Sequence, residues 1–567
     1  MAWFRHSAKR RSQEIAPDEI FLDSSNLPAY DTLHFEGRLE KPIRRQTLAV
    51  VGGVVALLFF AFGTRAWNLM FTNGIAYATQ AAENQLTEQL LFADRGALKD
   101  RAGVELAYNN VRAASTTASG AGAVVRAYSA YRGVAHMVGY TKPPAKDASG
   151  VYYQTSFVGI DGAERVFDGI LSGKNGRILT ETDARGTIVS QSAEDPPIAG
   201  STLQLSIDAG VTQGLYDAIA ARVSGSHFQA GAGVLMDVDT GELLALTSYP
   251  EYTSQTLSEG SAEALAMLTE DKREPFLNRV VDGLYAPGSI VKPFVGVAAL
   301  DEGVIDEHKQ ILSTGSISIP NPYDEAHPTV FKDWRVNGWA DMRRAIAVSS
   351  DIYFYEVGGG FEGQPGLGID RLGQWLRAFG FGEDAGLLGF SSQAGAIPSP
   401  AWKEATFPGD PWRIGNTYHT AIGQYGMQTT PLQAVRATAA LANDGHLLTP
   451  TIVASSTPYS RRVGASSEAM QVAREGMRLG VTEGIASAVN TPYVSVAAKT
   501  GTAQVGVKNE YMNSWMIGFF PYEHPRYAYA VVLERGPAGT AVGASAAVRA
   551  FLDWLNANAP QYLEVLP

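Results

Sequence analysis

An uncharged apolar segment near the N-terminus constrains this chain more than any other feature. No charged residue occurs from Thr47 to Thr64, which reads TLAVVGGVVALLFFAFGT. At about 1.5 Å per residue, a helix over this segment nearly spans the roughly 30 Å hydrocarbon core of a bilayer. Lys41, Arg44 and Arg45 precede the segment, whereas only Arg65 stands just after it. The positive-inside rule therefore predicts a transmembrane helix over residues 46–66, with a cytoplasmic N-terminus and the chain beyond it on the other side.

Two other interpretations of this segment are a buried core helix and a cleaved signal peptide. A small-x-small pattern at Ala61 and Gly63 would suit cleavage. However, about forty residues precede the apolar run, far more than the n-region of a signal peptide carries. Residues 1–45 mix basic and acidic side chains without apolar periodicity, which is typical of disorder. We therefore expect a disordered cytoplasmic tail over residues 1–45 followed by an uncleaved signal anchor.

Composition narrows the chemistry that the rest of the chain can perform. A length of 567 residues predicts two or more folded units. The formal net charge of -12 argues against the basic surface that nucleic-acid binding requires, so no nucleic-acid partner is expected. The chain contains no cysteine, which excludes disulfides, a thiolate nucleophile and thiolate-bound metals. No His, Asp or Glu spacing indicates a metal site, and no cofactor is expected.

Two regions with different patterns follow the anchor. Residues 67–225 begin with good helix formers from Ala76 to Leu91 and then become glycine-rich and strand-like. From about residue 226 the chain has strands at both ends and helices between them, which predicts an α+β domain over 226–567. Asp239-Thr240-Gly241 predicts a hairpin turn within Gly231–Ser248. The other predicted elements are helices at Val291–Leu300, Met342–Tyr355, Leu367–Phe379, Leu432–Asn443 and Ala544–Ala557, and strands at Tyr493–Ala498, Ser514–Phe520 and Tyr527–Glu534.

Ser289 and Lys292 form the first candidate catalytic pair. They open an apolar helical run, and residues three apart share one face of a helix, so the hydroxyl and the amine can meet. A serine at a helix N-terminus has free N–H groups aimed at charge that develops on an attacked carbonyl. A desolvated, neutral lysine can serve as its general base. Alone the pattern is weak, because Ser-x-x-Lys is expected by chance about twice in such a chain.

Two further polar clusters follow at long intervals. Ser349-Ser350-Asp351 interrupts a helical run, which indicates a turn or break there. Lys499-Thr500-Gly501-Thr502 ends a predicted strand, where a lysine and hydroxyls can bind a substrate carboxylate. A glycine beside them lets the backbone approach a ligand closely.

The ordered set Ser-x-x-Lys, Ser-x-Asp and Lys-Thr-Gly resembles the motifs of the penicillin-recognising serine enzymes. The chain is most similar to class B penicillin-binding proteins, and within them to the penicillin-binding protein 2 branch that acts in cell elongation. Supporting stretches are DRGALKDRAG at residues 94–103, Met236 to Pro250, Trp412 to Gly426 and NSWMIGFF at Asn513 to Phe520. The resemblance covers roughly residues 75–557.

This resemblance implies an antiparallel sheet flanked by helices, standing on an elongated, strand-rich, dimerisation-like pedestal over residues 67–225. It implies a D,D-transpeptidase that cross-links D-Ala-D-Ala stem peptides and is acylated by β-lactams. It also implies the inner (cytoplasmic) membrane, a periplasmic catalytic domain, and as partners a SEDS-family (RodA-like) glycosyltransferase and elongation-complex proteins. The implied catalytic residues are Ser289 as nucleophile, Lys292 as base, Ser349 as proton relay, with Asp351 and Lys499, and the implied substrate-binding residues are Thr500, Gly501 and Thr502.

The second motif departs from the wider superfamily pattern, which has Asn where this chain has Asp351. An ionised Asp351 beside Lys292 would raise the pKa of that lysine and weaken it as a base. Either burial or Lys499 must then compensate, or Asp351 must carry a proton. The segment between the membrane and the catalytic domain is also shorter than is usual in the branch.

Three other functions use the same motifs. A hydrolase, either a D,D-carboxypeptidase or a β-lactamase, is the first, but no Glu-x-x-Leu-Asn stretch that would activate water occurs between Asp351 and Lys499. A β-lactam sensor-transducer is the second, but the short mixed-charge tail suggests no folded effector. A catalytically inactive scaffold is the third, and the intact motif set argues against it. No glycosyltransferase domain fits in residues 67–225 beside a pedestal.

Overall fold

The computed structural model describes residues 45–83, 86–111, 124–182, 188–321, 324 and 326–564. The predicted cytoplasmic tail therefore lies outside the described residues except for its last position. The described residues form two compact units, and the larger one carries the chain from Glu88 onward except a short stretch around residues 181–188.

The smaller unit consists mainly of N-terminal helices. α1 (Arg45–Trp67) continues through a π-helical turn at Asn68–Thr72, and α2 (Gly74–Glu83) follows. No side chain of α1 is buried, and the stretch Arg45–Thr72 is long and apolar enough to cross a membrane. It is the one such helix in the described part of the chain, as the sequence predicts.

The region after α2 is built from short strands and helical turns. The helix predicted over Ala76–Leu91 is correct only as far as Glu83, because Leu86–Leu91 form a strand. Sheet formation overrides local helix propensity there. The elements are β1 (Leu86–Leu91), β2 (Leu98–Lys99), β3 (Glu105–Val111), β4 (Val124–Tyr128), α3 (Ala135–Val138), β5 (Thr141–Lys142), β6 (Ala145–Lys146), β7 (Tyr152–Gln154), β8 (Val158–Gly159), α4 (Gly162–Val166), α5 (Asp168–Leu171), β9 (Gly176–Thr182), β10 (Ile188–Asp195) and β11 (Leu203–Gln204).

A buried ion cluster lies beside the four-stranded sheet of this region, whose order is β11-β2-β3-β4. Glu164 of α4 accepts hydrogen bonds from Arg95 Nε at 2.6 Å and Arg126 Nε at 2.7 Å. All three side chains are buried. Arg95 belongs to the DRGALKDRAG stretch, so this stretch serves packing of the non-catalytic region.

A five-stranded antiparallel sheet, in the order β13-β12-β22-β21-β20, organises the rest of the chain. Its strands and the short ones around it are β12 (Ala230–Asp237), β13 (Leu243–Tyr249), β14 (Ile311–Ser313), β15 (Ser316–Ile319), β16 (Thr329–Lys332), β17 (Gly338–Ala340), β18 (His446–Leu448), β19 (Ser460–Arg462), β20 (Ala497–Val505), β21 (Tyr511–Phe520) and β22 (Tyr527–Pro537). The helices are α6 (Ala209–Gly225), α7 (Ser254–Ser258), α8 (Ala262–Glu270), α9 (Lys292–Asp301), α10 (Met342–Val348), α11 (Asp351–Gly359), α12 (Gly368–Ala378), α13 (Pro400–Thr406), α14 (Ile414–Ala421), α15 (Pro431–Ala442), α16 (Ser467–Thr482) and α17 (Ala544–Asn558).

Each face of this sheet buries its own apolar core. One core joins the sheet to α6 and α17, through residues such as Leu215, Leu244 and Phe551. The other joins it to α9, α11 and α15, through residues such as Phe294 and Val435. Helices on both faces of an antiparallel sheet confirm the predicted α+β class, and α6 belongs to this core although it lies before residue 226.

The predicted hairpin around Asp239-Thr240-Gly241 is confirmed, since β12 pairs with β13. The strand predicted at Tyr493–Ala498 is wrong in its extent, because β20 begins at Ala497 and ends at Val505. The Lys-Thr-Gly motif therefore lies inside a strand and does not end one. The apolar pattern stops at Ala498 because the polar residues that follow face a cleft, while β21 continues to pair with them.

Candidate active site

The turn that carries Ser289 is held by contacts from two other segments. Ser289 lies in a 3₁₀ turn, Gly288–Val291, which runs directly into α9. The indole of Trp515 in β21 donates to the Ala286 carbonyl at 3.0 Å. Gly501 packs so closely that a Cβ there would lie 2.8 Å from the Pro287 carbonyl oxygen. Gly501 thus allows the close approach of β20 to the turn that carries Ser289, while its role at a ligand stays a prediction.

Ser349 occupies the break between α10 and α11. Its backbone is left-handed, with φ of 59°, and it ends α10, while the Ser350 side chain caps α11 by accepting from the Tyr353 N–H. The predicted interruption of the run Met342–Tyr355 is confirmed. This break aims the buried Ser349 side chain at the two motif lysines.

Lys292 and Lys499 meet at the Ser349 hydroxyl. Lys292 Nζ lies 3.2 Å from Ser349 Oγ and donates to the Ser349 carbonyl at 2.8 Å. Lys499 Nζ lies 2.8 Å from the same Oγ and donates to the Thr500 carbonyl at 2.9 Å. Both lysine side chains are buried. The Ser349 hydroxyl therefore contacts one lysine 57 positions before it and another 150 positions after it in the chain.

Asp351 contacts Lys292 directly. Its Oδ1 accepts from Lys292 Nζ at 2.6 Å, and its side chain is 17% exposed. Burial lowers the pKa of Lys499 well below its usual value, the positive charge of Lys292 lowers it further, and Asp351 opposes both. Lys292 and Asp351 form an ion pair, and burial disfavours a second positive charge on Lys499 beside it.

Ser289 opens onto a cleft of about 1150 Å³ that also reaches Ser349 and Asp351. Thr500, Gly501 and Thr502 line the same cleft. It is larger than a typical small-molecule pocket. The aromatic side chains along it are Phe331, Trp334, Tyr355, His419, Tyr425 and Trp515.

His419 contributes packing to this wall. Its ring centroid lies 5.6 Å from that of Phe331 and 6.1 Å from that of Tyr355. Burial lowers its pKa, although Asp351 opposes this effect. The side chain is therefore mainly neutral at pH 7 and packs as one of the aromatic rings of the wall.

Asp333 is a cleft residue that the sequence does not single out. It lies between β16 and β17 in a stretch without a motif, yet its carboxylate reaches Ser350 Oγ at 2.7 Å and the Asp351 N–H at 3.1 Å. No periodicity or spacing signals it, because its partners lie 17 and 18 residues away on another element.

Comparison with known proteins identifies the family. The profile "Penicillin binding protein transpeptidase domain" matches residues 231–554, and "Penicillin-binding Protein dimerisation domain" matches residues 120–205. The chain is a class B penicillin-binding protein. The peptidoglycan D,D-transpeptidase MrdA of Escherichia coli K12 is 32% identical over 453 residues, which cover 72% of this chain and 68% of that relative.

Solved structures place the chain in the PBP2 group of this family. Pseudomonas aeruginosa PBP2 in complex with WCK 5153 is 30% identical with a TM-score of 0.68, covering 85% of this chain and 100% of that structure. Helicobacter pylori PBP2 in complex with MreC is 25% identical with a TM-score of 0.68, covering 84% and 99%. The family and the branch predicted from the motifs are both confirmed.

Proposed function

We propose that this penicillin-binding protein is a membrane-anchored peptidoglycan D,D-transpeptidase that cross-links stem peptides during cell elongation. The contact of Ser349 Oγ with Lys292 and Lys499, beside the cleft that Ser289 lines, carries the proposal. Two lysines joined through one hydroxyl form a path for a proton to and from a serine nucleophile. The name of the Escherichia coli relative, a D,D-transpeptidase, supports it.

The buried amine of Lys499 allows Lys292 to act as the base. A proton passes from Lys292 through the Ser349 hydroxyl to Lys499 once the carboxylate of the donor peptide lies beside Lys499, because that negative charge offsets the burial that otherwise lowers the pKa of Lys499. Lys292 then takes the hydroxyl proton of Ser289, whose oxygen bonds to the penultimate carbonyl carbon of the donor peptide. The hydrogen bond from Lys292 Nζ to Asp351 Oδ1 keeps the Lys292 amine in place during this step.

The newly charged Lys499 binds the terminal carboxylate of the donor peptide. The hydroxyls of Thr500 and Thr502 complete this binding site at the edge of the sheet. Carboxylate binding and protonation of Lys499 favour each other, since each supplies the opposite charge that the other lacks. The substrate therefore helps to activate the base.

The first half-reaction ends with an acyl-enzyme. Backbone N–H groups of Ser289 and Thr502 stabilise the tetrahedral oxyanion, the carbon–nitrogen bond breaks, and D-alanine leaves with a proton from Lys292 relayed by Ser349. The amine of a neighbouring stem peptide then attacks the ester, an amide bond forms, and Ser289 regains its proton. A β-lactam would stop after acylation, because its amide nitrogen stays tethered to the acyl group.

The domain organisation and topology complete the proposal. We place a signal anchor over residues 46–66 in the inner membrane, with the N-terminus cytoplasmic and the catalytic domain periplasmic. The proposed pedestal runs from residue 67 to just before α6. It therefore ends earlier than residue 225, the boundary predicted from the sequence. Packing of α6 on β12 and β13 supports this revision.

We also propose a SEDS-family glycosyltransferase of the RodA type and other elongation-complex proteins as partners. The matched domains are a transpeptidase and a dimerisation domain, so glycan polymerisation is assigned to a partner. Helicobacter pylori PBP2 has been solved with MreC, which supports an elongation complex here. Depletion of the protein should make rod-shaped cells round, whereas filamentation would indicate a role in division.

Covalent labelling by a fluorescent penicillin tests the catalytic assignment. Ser289→Ala should abolish the covalent adduct, whereas Ser467→Ala, an exposed serine on α16, should label like the natural protein. Formation of the adduct by the Ser289→Ala protein would refute the assignment of Ser289 as the nucleophile. Incubation of the natural protein with stem peptide should give cross-linked dimer, and hydrolysed monomer alone would favour a carboxypeptidase.

A further inference from the structure

A half-buried carboxylate in the cleft accepts hydrogen bonds from two other segments and from its own loop. Asp333 Oδ2 accepts from Ser313 Oγ at 2.9 Å, Asn337 Nδ2 at 3.1 Å and Ser350 Oγ at 2.7 Å. Asp333 Oδ1 accepts from the Asp351 N–H at 3.1 Å. A carboxylate with this many donors is held in one orientation and costs little to keep charged.

Trp334, which follows Asp333 directly, contacts the chain on the other side of Ser349. The indole N–H of Trp334 donates to the Val348 carbonyl at 3.2 Å. The residue before Ser349, Val348, and the two residues after it, Ser350 and Asp351, are thus contacted from one loop. Ser349 itself has left-handed backbone, which a non-glycine residue adopts only when its surroundings impose it.

We propose that Asp333 is a positioning residue of the reaction, which holds Ser350 and the Asp351 backbone so that Ser349 Oγ and the Asp351 carboxylate meet the motif lysines. This inference rests on the proposed roles of Lys292, Ser349 and Asp351 and deepens them. Asp333 does not contact the lysines; it acts through the loop that does.

The other contacts of the Ser349 break come from α10 and from the motif lysines, with Lys292 Nζ donating to the Ser349 carbonyl at 2.8 Å. The Ser349 and Ser350 N–H groups bond back to α10, at the Ile346 and Ala345 carbonyls. The start of α11 instead depends on side chains, namely Ser350 as its cap and Asp333 on the Asp351 N–H. Without Asp333, Ser350 loses the acceptor of its hydroxyl and the first turn of α11 loses an anchor.

Acylation by fluorescent penicillin, measured as a second-order rate constant across pH, tests this role. Asp333→Ala should lower the plateau rate about 10- to 100-fold, since displacement of catalytic groups by about 1 Å has effects of this size. The pH dependence of the rate should also change, because Lys292, Ser349 Oγ and Lys499 no longer meet in the same geometry. Asp333→Asn, which can keep the Oδ1 contact, should show a smaller change of both kinds.

Asp341→Ala is the matched control. The Asp341 side chain caps the N-terminus of α10, the end of that helix remote from Ser349. It should lower thermal stability and leave the pH profile in place. If Asp333→Asn is folded and has the rate and profile of the natural protein, the positioning role is refuted. Equal loss of rate in Asp333→Asn and Asp341→Ala, with unmoved profiles, would refute it too.

Failure of this inference is distinguishable from failure of the proposed function. Adduct formation that depends on Ser289, together with an unaffected Asp333→Asn protein, would remove only the positioning role. Adduct formation in Ser289→Ala would remove the function on which that role depends.

Discussion

Replacement of Glu164 by glutamine should strongly destabilise the non-catalytic region. Glu164 is buried and accepts from Arg95 Nε at 2.6 Å and from Arg126 Nε at 2.7 Å. Arg95 has a second carboxylate, Asp168, at 2.8 Å. Arg126 has no other carboxylate partner in the described chain, and its remaining contacts are neutral oxygens such as the Gly96 carbonyl at 2.9 Å. Glu164→Gln therefore leaves a buried guanidinium without a counter-charge.

The size of this effect follows from the burial of both partners. Removal of one member of a buried ion pair costs about 3–5 kcal/mol, because the remaining charge is neither solvated nor paired. For a unit of ordinary domain size, each kcal/mol lowers Tm by about 2–4 °C, so a decrease of roughly 6–20 °C is expected. The decrease should be accompanied by loss of amide-exchange protection in β3 and β4.

Thermal unfolding of the detergent-solubilised full chain, followed by circular dichroism, measures this change. Glu105→Gln is the matched control, since Glu105 lies in β3 and pairs with Lys99 at 3.6 Å, with both side chains at least 36% exposed. An exposed pair of this kind contributes about 0–1 kcal/mol. A Tm decrease in Glu164→Gln no larger than that of Glu105→Gln would refute the energetic role of the buried cluster.

Two further predictions concern pH. Burial lowers the pKa of Lys499 well below 10.5, so between the native pKa and 10.5 the unfolded state binds a proton that the native state lacks, and stability should rise with pH over that range. In urea titrations across pH, Lys499→Met should lose this rise. Parallel stability curves for the two proteins would contradict the prediction. Burial raises the pKa of Glu251 to about 7 although the N–H groups of Gly133 and Ala135 oppose it, so the native state keeps a proton that the unfolded state releases above about 4.5. Stability should therefore fall by about 3 kcal/mol as pH rises from about 4.5 to above 7, and Glu251→Gln should flatten this fall; an unchanged slope would argue against a protonated Glu251.

Features that depend on nearby residues could be read from the sequence. The long apolar α1 follows from local composition, and the position of Ser289 directly before α9 follows from the apolar helical pattern after it. The hairpin of β12 and β13 and the break at Ser349 were predictable for the same reason, since turn chemistry is local. The three motifs also identified the family, because their order in the chain is itself a signal.

Only the tertiary structure determines which side chains are in contact and how burial shifts their pKa values. Ser349 Oγ contacts Lys292, which lies 57 residues before it, and Lys499, which lies 150 residues after it. Burial of Lys499 in this cluster lowers the pKa of its amine. The extent of β20, the packing of Gly501 against the turn of Ser289, and the anchoring of Ser350 by Asp333 have the same origin. Each depends on desolvation and contacts between distant segments, which no local pattern encodes, so the sequence supplies the candidate catalytic residues while the fold determines which of them come into contact.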